Sequence, residues 1–217
     1  MSAREEILQR VRAGLGKGDA SGRRAAAEAL LAAPRRGPQP AITGALAARF
    51  AARAASLASS VDHVAAPSEA PAAATRYLVA NGLPLAAVAS GDIAGLDWAG
   101  AGLDISVRAA VDDDQVGITG CFCAIAETGT LLLLSGPQTP SSVSLLPETH
   151  IAVVPVARVV ATMEDAFALL RAERPGTLPR AVNFISGPSR TGDIEQTIVL
   201  GAHGPCRVHL ILHGEPS

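Results

Sequence analysis

The chain has 217 residues, 48% of them hydrophobic, and a net charge of −2, which suits one full α/β domain with a sizeable core and excludes disorder as the default. Aromatic residues make up only 3%, so the core must be aliphatic, and the stacking platforms of single-strand nucleic-acid binders are missing. Charge is uneven, with about +6 over residues 1–60 and about −8 over residues 61–217, yet no clustered basic stripe or nucleic-acid reading motif accompanies it.

Cys121, Cys123 and Cys206 are too few, and odd in number, for a disulfide framework. No apolar signal region follows the charged start, and no stretch approaches the roughly 20 apolar residues of a membrane helix. A cytoplasmic protein is expected, bound neither to membrane nor to nucleic acid. The basic leading segment suits an acidic partner or the protein's own acidic body.

In chain order, Ser2 and Glu5 form a capping box, in which each side chain satisfies a backbone N–H at a helix start. Ile7, Leu8, Val11 and Leu15 then line one helical face, and Gly14 and Gly16 mark its end. Residues 18–40 carry paired arginines with Pro34, Pro38 and Pro40; a linker is expected, with a short Ala-rich helical turn around 24–32. Residues 1–40 thus read as a helix and linker, and residues 41–217 as the α/β domain. A second helical stretch, 42–59, carries Leu46, Phe50 and Leu57.

From residue 61 strands and helices alternate as in a mostly parallel sheet. Strands are expected at 61–65, 83–89 and 103–109, with a helix over 68–81 between the first two. Asp112, Asp113 and Asp114 form an acidic turn, read as a solvated loop because no further ligands with calcium-loop spacing follow. The runs 130–134 and 151–156 are continuously apolar, as strands of a parallel sheet covered on both faces are. Thr162 and Asp165 open a helix as a second capping box. Residues 182–185 form a strand that stops at Ser186-Gly187-Pro188, and 208–212 the last strand. The expected class is α/β, a mostly parallel sheet flanked by helices with an N-terminal helical extension.

Three segments at strand ends combine small residues with ionisable ones, where open α/β sheets bind ligands. In Ser186-Gly187-Pro188-Ser189-Arg190-Thr191-Gly192-Asp193-Ile194-Glu195 the glycines permit tight turns. The hydroxyls of Ser189 and Thr191 and the planar fork of Arg190 suit a carboxylate or phosphate, and Asp193 and Glu195 suit orienting Arg190 or handling a proton. The same residues also suit an ordinary capped helix start. They match neither the Walker loop nor the Rossmann glycine pattern.

In Ala126-Glu127-Thr128-Gly129-Thr130, a carboxylate stands at the edge of a buried strand, where an unpaired charge is costly. Glu127 suits a nucleophile, a general base or a partner for Arg190, and equally a partly exposed strand-initiating residue. In Gly201-Ala202-His203-Gly204-Pro205, His203 can approach a ligand closely and titrate near neutral pH, although a lone histidine is more often structural. His150, before a buried strand, is similar, whereas His209 and His213 share a face of the last strand and are expected to be non-catalytic. The three cysteines fit small buried hydrophobes better than a zinc or iron–sulfur site, each of which usually needs four ligands, so no metal is expected.

Residues 118–212 resemble the LUD-domain family, in its lactate utilization protein C group (LutC, also called YkgG). Three stretches carry the likeness: Ile125-Ala126-Glu127-Thr128-Gly129-Thr130, Leu145-Leu146-Pro147-Glu148-Thr149-His150-Ile151, and the run from Ile185 through Glu195 to Pro205. The resemblance implies a fold similar to the NagB/RpiA/CoA-transferase group. It also implies a part in oxidising L-lactate to pyruvate beside two iron–sulfur partner proteins, whose cysteine sets this chain lacks, so no cofactor of its own is expected. Relatives often place a Gly/Arg-containing loop after the strand ending at Leu134, where this chain reads Gly136-Pro137-Gln138-Thr139-Pro140-Ser141-Ser142.

Three functions follow. The first is a subunit of a lactate-oxidising system that binds a small carboxylate, with Glu127, Asp193 and His203 as catalytic candidates. Thr128, Gly129, Ser186, Gly187, Ser189, Arg190, Thr191, Glu195 and Gly204 are the binding candidates. The second is a CoA- or acyl-transfer enzyme using Glu127 as nucleophile, a fold-level analogy. The third is a non-catalytic metabolite-sensing module that docks a partner through residues 1–40.

Overall fold

The computed structural model describes residues 2–15, 19–33, 37–191, 199–201 and 203–215. Its contacts separate two units, Met1–Ala41 and Ile42–Ser217. The first unit holds α1 (Ala3–Gly14) and α2 (Ala20–Ala32). The expected capping box is present on α1: the Glu5 N–H donates to the Ser2 hydroxyl, and the Ser2 N–H donates to the Glu5 carboxylate at 2.7 Å. α2 corrects the sequence reading, which gave only a short turn there. The Asp19 carboxylate accepts from the N–H groups of Ser21 and Gly22, both at 2.9 Å, and the alanines that follow are the best helix formers. Neither helix buries a residue, so Ile7, Val11, Leu15, Leu30 and Leu31 are exposed.

The second unit begins with α3 (Leu46–Ser56), β1 (Ser60–Val64), α4 (Ala70–Ala80), β2 (Ala86–Ala89), β3 (Asp104–Val107) and β4 (Val116–Thr119). It continues through β5 (Cys123–Ile125), β6 (Thr130–Leu134), the short α5 (Ser142–Leu145), β7 (Thr149–Pro155), β8 (Val159–Val160) and α6 (Met163–Glu173). β9 (Val182–Ile185), β10 (Arg190–Thr191), β11 (Val199–Leu200) and β12 (Arg207–His213) complete it. Six strands form a wholly parallel sheet in the order β1-β12-β7-β4-β2-β3.

Alternation along the central strands assigns the two faces of this sheet. Ile118, Ile151 and Ile211 meet Ala70, Ala73, Ala74 and Leu78 of α4, whose small side chains let the helix lie close. On the other face Ala152, Val154, Leu210 and Leu212 meet Phe50 of α3 and residues of a second sheet. That sheet, β8-β5-β6-β9, is covered on its far side by α6, where Cys123, Ile125 and Leu132 pack with Ala166. The layers are therefore α4, the large sheet, then α3 with the small sheet, then α6.

The second sheet revises one expectation. β6 read as a strand of a parallel sheet, but it runs antiparallel to both β5 and β9. The turn between β5 and β6 is tight, with the Gly129 N–H donating to the Ile125 carbonyl at 2.9 Å, and a turn so short joins only antiparallel neighbours. β6 is continuously apolar because it lies between the large sheet and α6, a burial that says nothing of strand direction. Among the described residues, no helix is long and apolar enough to cross a membrane.

One point of the topology matters for function. The chain passes from β2 to β3 on one side of the large sheet, and from β4 to β7 on the other. The crevice between the carboxyl ends of β2 and β4 is thus a switch point, where ligands of open α/β sheets bind.

Candidate functional site

The three turns singled out in the sequence are neighbours, gathered at the C-terminal end of α3. Gly129 (φ +67°) lies so close to that helix that a Cβ would sit 2.6 Å from the Ala54 nitrogen. Gly187 (φ +81°) meets the Leu57 carbonyl in the same way. The hydroxyls of Thr130 and Ser186 are hydrogen-bonded at 2.6 Å. The Ser189 N–H donates to the Pro205 carbonyl at 2.8 Å, and a Cβ on Gly204 would lie 3.4 Å from the Ser189 Cβ. Thr191 sits in the β10–β11 ladder opposite Val199.

The side chains of these turns do not converge as the turns do. Arg190 donates to the Leu57 carbonyl at 3.0 Å, satisfying an end of α3, and not to Glu127. Half-buried Glu127 lines a hollow of about 290 Å³ with Arg49, Ala52, Arg53 and Ser56. Thr128 turns its hydroxyl inward, His203 is exposed, and neither His203 nor Arg190 lines any of the three described hollows. Asp193 and Glu195 lie outside the described residues.

The largest described cavity, about 460 Å³, opens at the switch point. Its floor is the carboxyl edge of the large sheet: Ser90 follows β2, Thr119 ends β4 with Gly120 and Cys121 after it, and Pro155 ends β7. The Ser90 N–H donates to the Ile118 carbonyl at 3.0 Å, tying the two strand ends together. The Ser90 hydroxyl holds the carboxylate of Asp92, which rests against Gly120, where a Cβ would collide with it. The loop after β6 supplies Thr139, Pro140 and Ser141, and β9 supplies Asn183, whose amide donates to the Ser141 hydroxyl at 2.8 Å.

Two guanidinium groups line the same cavity. Arg158 is fixed by Glu173, with N···O distances of 2.6 and 3.1 Å, by its Nε donating to the Phe122 carbonyl at 2.8 Å, and by the Phe122 ring 4.8 Å away. These bonds commit three of its five N–H donors and balance its charge. The backbone N–H of exposed Arg174 donates to the Leu170 carbonyl at 2.9 Å, whereas its guanidinium makes no hydrogen bond to protein among the described residues; its charge acts on Glu173 and is the cation nearest to hand for an anionic ligand. Burial pushes the thiol of Cys121 up, so it stays protonated at neutral pH.

Behind this floor lies His150, inside β7 rather than before it, and fully buried. It does not titrate near neutrality as the sequence suggested, because burial holds it down to about 4. Its Nε2 is 2.9 Å from the Thr119 hydroxyl. His209, on the opposite face, stacks on Tyr77 with ring centroids 3.9 Å apart. Among the described residues, no three His, Cys, Asp or Glu side chains gather as a metal site requires.

Sequence reasoning missed Ser90, Asp92, Thr119, Arg158, Arg174 and Asn183, which are single residues far apart in the chain. One signal was available. Ala89-Ser90-Gly91 and Ile118-Thr119-Gly120 each place a hydroxyl and a glycine directly after an apolar run, as strand ends at a ligand crevice do.

Comparison with known proteins fits this architecture. The LUD domain profile matches residues 48–213. Lactate utilization protein C of Bacillus subtilis (strain 168) is 42% identical over 100 residues, covering 45% of this chain and 42% of that protein. The protein of that name from Bacillus licheniformis is 35% identical over 118 residues, 54% of this chain and 49% of that one. The matched stretch thus spans less than half the length of these relatives. The crystal structure of a DUF162 family protein from Deinococcus radiodurans shares the fold with a TM-score of 0.59 and 27% identity, over 78% of this chain and 96% of that one.

Proposed function

Because this chain belongs to the LUD domain family, we propose that it works as a component of a lactate utilization system, in which its switch-point cavity binds a small carboxylate. The observation that carries this reading is the cavity's chemistry: the Arg174 guanidinium, with no side-chain hydrogen bond to protein among the described residues, the hydroxyls of Thr119 and Ser144, and the carboxylate of Asp92 line one hollow. A 2-hydroxy acid presents a carboxylate for the first and a hydroxyl for the last. The name lactate utilization protein C, shared by relatives 35–42% identical, directs the choice among such acids to lactate.

The turns around Glu127, Arg190 and His203 take a supporting part in this reading. Their glycines and hydroxyls fasten β6, β9 and the β10–β11 hairpin to α3, which fixes Asn183 at the cavity wall. A three-carbon acid fills roughly 100 Å³, about the share of three waters. Most of the cavity then remains for a second group that takes up electrons. In this reading the iron–sulfur partner proteins that the family resemblance implies supply that group, and Cys121, Cys123 and Cys206 are too few to hold a four-cysteine cluster in this chain.

Purified protein alone is expected to oxidise little lactate, and iron–sulfur proteins are expected to be recovered with it from lactate-grown cells. Normal growth on lactate of a strain lacking the gene contradicts this reading.

A further inference from the structure

The structure assigns to Thr119 a second role within that reading: we propose that buried His150 fixes it as a hydrogen-bond donor on the cavity floor, where it recognises an acceptor oxygen of the bound acid. The register places the two groups together. Thr119 pairs with Ala152 and Gly117 with His150, so both side chains leave the same face of adjacent strands, two positions apart. α5 covers this face closely, for a Cβ on Gly117 would run into the Val143 carbonyl. His150 is thus sealed from solvent at 0% exposure, while Thr119, at 4%, still lines the cavity.

The direction of the bond follows from what surrounds the ring. Burial alone keeps His150 neutral at physiological pH, so one ring nitrogen carries a proton and the other a lone pair. Nδ1 is buried and has no partner among the described residues, whereas Nε2 faces the Thr119 hydroxyl. A buried N–H without a partner is rarer and costlier than a bare lone pair. The proton therefore sits on Nε2 and is donated to the Thr119 oxygen. The Thr119 proton is then free to point into the cavity. With the opposite tautomer Thr119 would spend its proton on His150 and offer the ligand only lone pairs, suited to a hydroxyl rather than to a carboxylate or keto oxygen.

His150 acts here through Thr119 and is a positioning residue; Thr119 is the group that meets the ligand. The inference rests on the small-carboxylate reading of the cavity, and one set of measurements separates the two. Nitrogen-15 NMR of the histidine-labelled full chain, without ligand, is expected to show His150 protonated on Nε2. Titration with pyruvate is expected to give about tenfold weaker binding for Thr119→Val, with Thr119→Ser within about threefold of the wild type. Urea midpoints establish that both variants are folded. A ring protonated on Nδ1, or unchanged pyruvate affinity in Thr119→Val, overturns the inference while leaving the cavity reading intact. Failure of the wild-type protein to bind pyruvate or lactate overturns the cavity reading and the ligand part of this inference with it.

Discussion

His150 and His209 sit at 0% and 2% exposure, and burial holds both near 4 against about 6.5 for a free imidazole. Between those values the unfolded chain binds protons that the folded chain does not, so stability is fully present above about pH 6.5 and falls as pH drops toward 4. Linkage gives up to about 3 kcal/mol for each ring. Urea midpoints are therefore expected to fall steadily from pH 7.5 to pH 4.5, and less steeply in His209→Phe, which keeps a ring against Tyr77. A flat profile over this range contradicts the burial of both rings as neutral groups. Histidine roles were not legible in the sequence, because a neighbouring apolar run does not say whether a residue starts the strand or lies inside it.

Among the elements, α3 organises the turns around it, and its end shows strain. Ala58 (φ +68°) is the only non-glycine residue with positive φ among those described. It closes a Schellman motif, with the Ser59 N–H donating to the Ala54 carbonyl and the Ala58 N–H to the Ala55 carbonyl, at 3.1 and 3.0 Å. A side chain in this conformation costs about 1 kcal/mol or more, so Ala58→Gly is expected to stabilise the protein by roughly 0.5–1 kcal/mol in urea denaturation. Gly187→Ala is expected to destabilise it by about 2 kcal/mol or more, since it combines positive φ with a collision against the Leu57 carbonyl. If the first substitution destabilises, or the second is neutral, the packing of these turns on α3 is wrong. The sequence marked Gly187 as a tight-turn residue and both Gly129 and Gly187 as binding candidates, but not that a helix of the same chain lies against them.

For the whole molecule, removing residues 1–41 is expected to leave the unfolding free energy of the remainder, from urea denaturation, within about 0.5 kcal/mol, because α1 and α2 bury no residue. A larger loss contradicts the division into two units. The layered architecture was largely legible. Both capping boxes, the strands at 182–185 and 208–212 and the alternation of strands and helices signalled an α/β fold. β4 and β5 were not, for each is at most four residues long and β4 carries a glycine in its interior. The cavity was out of reach for a related reason, since only the order of strands brings Ser90, Thr119, Arg158 and Asn183 to one place. The sequence favoured a contiguous motif, whereas the geometry favours residues gathered from separate segments.

The most direct test is an amide NMR titration of the full chain with L-lactate and pyruvate. Binding at the switch point is expected to shift Ser90, Gly91, residues 119–121, residues 141–144 and Asn183. Shifts confined to residues 186–191 and to His203 and Gly204, with the cavity floor unmoved, would contradict the account.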